Sequence, residues 1–94
     1  MFDKEKCDRE IKEYHERLEN SSLKALETEH DENELIIERN IKRSELLDGM
    51  DTTGMTKDEL DRHKIGRAHA YINIIEGLLN RINLKCYINR KSEC

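Results

Sequence analysis

The chain has 94 residues, 35% hydrophobic and 40% charged, with a mean hydropathy of -0.95; that bounds it to one domain, residues 1–94, with a thin core, and excludes folds that need a large buried interior. The net charge of -4 argues against duplex nucleic acid as a partner, and no apolar run approaches the length of a membrane-spanning helix. With no proline, no tryptophan and four glycines, the composition is that of exposed helices and coiled coils, so the expected fold class is all-α: a long helical hairpin or three-helix arrangement with coiled-coil-like packing, completed by oligomerisation.

In chain order, Met1-Phe2-Asp3-Lys4-Glu5 carries no signal-peptide core, and Cys7, Cys86 and Cys94 are an odd number at wide spacing. Both features make a reducing cytoplasm the expected compartment. Residues 3–47 read as one helix or two. Cys7, Ile11, Tyr14 and Leu18 step by 4, 3 and 4, and Ser21 and Ala25 continue the row weakly. Glu27 to Glu34 contains nothing apolar, and Asp31 with Glu34 can form a capping box, one possible break. Asn20-Ser21-Ser22 is another. Further on, Ile37, Ile41 and Ser44 share a face with Leu26, while Leu35 and Leu46 point the other way. An unbroken helix here would be about 65 Å long, against about 45 Å for residues 57–86. Its first turns would overhang. The row from Cys7 to Leu18 then either meets another molecule or is covered by a fold-back at Asn20-Ser21-Ser22, which gives three helices.

Residues 48–56 read as a loop, with Gly49 suited to the left-handed position after a helix and Gly54 to a turn. Thr56-Lys57-Asp58-Glu59 is a capping box, and Met55 with Leu60 forms a hydrophobic staple. A helix is therefore predicted over 57–86, with a tail over 87–94.

That helix carries two rows. Ile65, Ala68, Ile72, Ile75, Leu79, Ile82 and Cys86 step by 3, 4, 3, 4, 3 and 4, a heptad seam bordered by Tyr71 and Leu78 and widened by Ile74. Its width predicts contact with more than one helix. The seam and the N-terminal row of Cys7, Ile11, Tyr14 and Leu18 are the expected partner-binding residues, for a second copy or another protein. On the opposite side Gly66, Ala70, Asn73, Gly77 and Asn80 step by 4, 3, 4 and 3. Two glycines in one stripe imply that something approaches the backbone closely: a helix, a symmetry mate or a ligand. Were it a ligand, Gly66, Ala70 and Arg67, with Arg62 and His69 nearby, would form a groove for a small anion such as a cyclic nucleotide.

Charge is unevenly spread. Residues 1–47 hold 9 Lys/Arg and 14 Asp/Glu, whereas residues 62–91 hold seven Lys/Arg against Glu76 alone. The two halves can attract each other within a chain or between copies.

Catalytic and metal signatures are sparse. His15, His30, His63, His69 and the cysteines lack zinc-site spacing, so no metal or cofactor is expected. Asp48 and Glu59 stand at EF-hand distance, but Met50 and Thr53 occupy positions where an acidic ligand and a glycine belong. Cys7 and Cys86 lie on apolar rows, where thiols are inert. Glu29-x-x-Glu32 and Glu45-x-x-Asp48 resemble the magnesium-holding pair of MazG-type nucleoside triphosphate pyrophosphohydrolases, which are all-α. The same spacing recurs at Glu10/Glu13 and Glu16/Glu19, so the chain is expected not to be an enzyme.

Asp51-Thr52-Thr53-Gly54-Met55-Thr56-Lys57-Asp58-Glu59-Leu60, followed by Gly66-Arg67-Ala68 and an apolar helix, resembles small helical accessory proteins of bacteriophages over residues 48–82. The resemblance implies a capsid- or connector-associated component, an inhibitor of host machinery, or a helical-hairpin sponge for cyclic nucleotides, acting in the host cytoplasm. The Gly-Tyr-Arg element usual in such sponges is not present. The expected function is thus a non-enzymatic helical assembly or binding protein that self-associates and occludes or scaffolds a partner.

Overall fold

The computed structural model describes residues 3–93. They form three helices: α1 (Lys4–Asn20), α2 (Leu23–Asp48) and α3 (Lys57–Ser92). No strand occurs among the described residues. Each helix opens on a side-chain cap that satisfies an amide otherwise left without a partner. Asp3 accepts from the Lys6 amide at 3.0 Å, Ser22 from Ala25 at 3.1 Å and Thr56 from Glu59 at 3.2 Å.

The first half is broken at Ser21-Ser22. Both residues are extended, at ψ 146° and 158°, which reverses the chain between α1 and α2. The other possible break, at Asp31, lies inside an unbroken α2. There Asn33 and Ile37 continue the row that packs on α3, and a cap would have interrupted it.

Two local expectations need correction. α3 does not end at residue 86 but runs to Ser92, so the supposed tail is helical. Tyr87 and Ile88 pack against the core, and the Lys91 ammonium donates to the Glu19 carbonyl at 2.8 Å. Arg90 and Lys91 also suit the negative end of the helix dipole. Cys94 lies outside the described residues. Gly49 is right-handed, at φ -84° and ψ -5°, because its amide closes a further helical turn onto the Glu45 carbonyl at 3.0 Å. Gly54, at φ 85°, does take the left-handed conformation expected of the turn.

α2 and α3 form a long antiparallel hairpin. Its rungs run from Leu47 beside His63, through Asn40 beside Asn73, to Asn33 beside Gly77. α1 folds back onto the open end. There Leu18, Leu26 and Leu84, each at most 1% exposed, make the core, with Tyr14, Tyr87 and Ile88 packed around it. This corrects the reading of Leu18 and Tyr14 as partner-binding residues: the reversal at Ser21-Ser22 gives them a partner in their own chain. Farther out on α1, Cys7 is half-buried and Ile11 is 57% exposed. The Cα trace measures 59 × 31 × 14 Å, a thin slab. Helical domains ordinarily bury their apolar faces between two packed layers, and this slab lacks the second. No described helix is long and apolar enough to cross a membrane.

Candidate functional site

The distinguishing feature is that the two faces of α3 have different uses. At about 100° per residue, the small-residue stripe and the aliphatic seam lie about 150° apart on the helix. The stripe is the one that meets α2.

Ala70 is fully buried and Gly77 is buried. A Cβ placed on Gly77 would stand 2.5 Å from Ile37 Cγ1, so the glycine is a notch into which Ile37 fits. The Asn33 side chain, 7% exposed, donates to the Gly77 carbonyl at 2.9 Å, and the Asn73 amide donates to Asn40 Oδ1 at 3.2 Å. Nearer the loop, His63 Nε2 lies 2.8 Å from the Leu47 carbonyl. Sequence reasoning did not single out Asn33, Asn40 or His63 as bridges. The signal was available: Leu26, Asn33, Ile37, Asn40, Ser44 and Leu47 on α2 fall on one 3/4 row that mirrors the stripe on α3.

Of the three candidates for a close approach to this stripe, a helix, a symmetry mate or a ligand, the structure shows a helix: α2 lies over Gly66, Ala70 and Gly77. The nearest atoms to a Gly66 Cβ are Arg43 Nη2 and Leu47 Cδ1, at 3.8 and 4.0 Å. Arg67 turns aside to pair with Asp48 at 2.7 Å, and Tyr71 donates to the same carboxylate. Arg62 and His69 stand exposed beyond the closed seam.

The aliphatic seam is bare. Ile65 is 56% exposed, Ile72 50%, Ile75 57%, Leu79 56% and Ile82 64%, while Ala68 and Cys86 are also exposed. The contact with more than one helix expected from the width of the seam is not made within the chain: α1 and α2 both pack on the other side of α3. Tyr71 and Leu78, 40% and 39% exposed, extend the bare surface. Ile41 of α2, 41% exposed, lines a shallow cleft with Ile37, Glu34 and Arg81.

Ion pairs clamp the hairpin at its edges. Arg81 holds Glu34 through two hydrogen bonds of 2.6 and 2.8 Å, and Arg17 holds Glu29 at 2.6 and 3.3 Å. The Arg81 hydrogen bond keeps the Glu34 carboxyl below the ordinary glutamate value. Burial, with the Glu29 charge nearby, raises the Tyr14 hydroxyl above its own. His30 Nε2 is buried without a hydrogen-bond partner, 3.7 Å from Glu34. Acidic α2 and basic α3 thus attract each other within the chain.

The carboxylate pairs do not form one site. Glu29 and Glu45 lie on the same straight helix, about 24 Å apart at ~1.5 Å per residue. Glu29 is taken by Arg17 and Asp48 by Arg67. Among the described residues, no three His, Cys, Asp or Glu side chains come together as a metal site. Compared with protein-family models, curated proteins and solved structures, the chain matches none.

Proposed function

We propose that this protein is a non-enzymatic helical assembly module that self-associates through the outer face of α3, and that assembly is how it occludes or scaffolds other proteins, as a phage-type accessory protein or an inhibitor of host machinery would. One observation carries this reading. Five large aliphatic side chains at heptad spacing stand half or more exposed, while a different row does the packing within the chain.

Heptad spacing of that kind suits a helix that meets another helix along its length. Covering it gains about 25 cal/mol per Å² of apolar surface removed from water. The surrounding cations set which partners are accepted rather than how tightly they bind.

Sedimentation equilibrium tests the proposal. The expected mass at tens of micromolar is a multiple of 11.2 kDa. Ile75→Lys combined with Leu79→Lys should return the protein to a single-chain mass with its helicity unchanged. A wild-type protein that stays monomeric at that concentration would overturn the reading.

A further inference from the structure

We infer that the outer face of α3 is covered by the same face of a second copy, running antiparallel, so that two thin slabs close into one bundle with the two α3 helices at its centre. This rests on the assembly reading above and adds the direction and register of the contact.

The first argument is area. Ile65, Tyr71, Ile72, Ile75, Leu79 and Ile82, each 40–64% exposed, together leave on the order of 600 Å² of largely apolar surface. That stands at the upper end of the roughly 300–600 Å² of a monomer's largest patch and approaches the ~800 Å² per partner of a stable interface. A single contiguous strip of that size suits a self-complementary two-fold contact.

The second argument is symmetry. An antiparallel pairing about an axis between Asn73 and Ile74 places Ile65 against Ile82 of the second copy, Ala68 against Leu79 and Ile72 against Ile75. The small Ala68 then faces a large Leu79, and every seam residue from 65 to 82 finds an apolar partner.

Charge decides the direction. The exposed first turns of α3 carry Asp58, Glu59 and Asp61, and its last turns carry the exposed Lys85 and Arg90, while Lys91 is turned inward to the Glu19 carbonyl. An antiparallel pair lays the carboxylates of one copy beside the cations of the other at both ends. Lys57, Arg62 and Lys64 arrive there too, so each end holds three carboxylates among five cations. The parallel alternative gathers four exposed cations at one end with no carboxylate from the first turns among them. Near the axis, His69 comes beside Glu76 of the second copy. The helix dipoles also oppose each other only in the antiparallel arrangement.

Cross-linking tests this. In a background of Cys7→Ser, Cys86→Ser and Cys94→Ser, two single variants are made, Ile65→Cys and Ile82→Cys. Each is measured alone and as an equimolar mixture unfolded and refolded together, then oxidised. Both positions are exposed, so folding, checked by circular dichroism, is expected to be intact. The expected result is a covalent dimer in the mixture at least tenfold more abundant than in either variant alone. A second pair, Ala68→Cys with Leu79→Cys, should behave the same way. If each variant instead links to itself, the direction is wrong while assembly through the seam stands. If no combination links although the background protein keeps a dimeric mass, the seam is not the contact and the inference fails. A single-chain mass for the unmodified protein would remove the assembly reading itself.

Discussion

The inner and outer faces of α3 are built from the same spacing and opposite chemistry. The inner face is small and polar: Gly66, Ala70, Asn73, Gly77 and Asn80, giving way to Leu84 only at the open end. The outer face is nearly all Ile and Leu. Judged by hydrophobicity alone, the outer face belongs inside. The inner face wins within the chain because it lets two backbones approach. Gly77 admits Ile37, Ala70 is sealed, and the freed proximity lets Asn33 reach a backbone carbonyl across the seam. Close-packed atoms and satisfied polar groups can hold a helix pair without a wide oily stripe. The lesson is that a helix able to pack in two ways uses the face whose partner is tethered to it by an eight-residue loop, Gly49 to Thr56. The face left over is available to a separate molecule.

The sharpest way to break that comparison is to truncate one large side chain on each face. Leu84, 1% exposed in the cluster that joins all three helices, should cost about 2–5 kcal/mol as Leu84→Ala. Ile75, 57% exposed, should cost within about 0.5 kcal/mol as Ile75→Ala when unfolding is followed at concentrations below association. Urea titration by circular dichroism reads both. Equal losses would mean that the outer face is buried in the isolated chain, contrary to the structure.

A smaller contrast lies within the inner face. Gly77→Ala puts a methyl 2.5 Å from Ile37 Cγ1, a mid-chain atom that cannot swing clear, so the helices must part and the Asn33 hydrogen bond must stretch. Overpacking of this kind costs about 1–3 kcal/mol, more than the ~0.5–1 kcal/mol alanine gains over glycine in a helix. At Gly66 the nearest atoms are 3.8 and 4.0 Å away. Gly66→Ala should therefore raise stability, by up to about 1 kcal/mol. Opposite signs at two glycines of one stripe are expected in thermal melts. A gain at both would show that α2 and α3 do not touch closely at Gly77.

Much of this was legible in the sequence, and what was not had a common cause. The Thr56 cap, the loop, the two rows on α3 and the possible break at Ser21-Ser22 all follow from local chemistry, and each is where the residues put it. The use of the two rows is not local. It depends on what α2 offers across the hairpin: Ile37 at the level of Gly77, and Asn33 and Asn40 at carbonyl or amide reach. Reading each helix by its own apolar stripe offers Ile65–Ile82 to any partner and leaves a helix, a symmetry mate and a ligand equally open for the small stripe. Reading the two helices as a pair, large against small, selects α2 for the stripe and leaves the seam over. The same limit explains Leu18 and Tyr14. Their row looks unpartnered until the chain reverses and brings Leu84 and Tyr87 to them.

The edges of the hairpin give the smallest and most conditional effect. Glu34 is held below its ordinary value chiefly by the hydrogen bond from Arg81. A carboxylate whose folded value is depressed adds stability above the unfolded value, near pH 4.3, and loses it as pH falls through the lower folded value. Wild-type melting temperature should thus drop more steeply below about pH 4.3 than that of Glu34→Gln, in which no proton is taken up at this position. Both side chains are more than a third exposed or close to it, at 37% and 33%, so the difference should be modest and should shrink in ~1 M salt, where the screening length falls to about 3 Å. The inner seam, built from uncharged contacts, should ignore the salt. Identical acid limbs for the two proteins would mean that Glu34 and Arg81 contribute nothing in solution and that the packed stripe alone closes the hairpin.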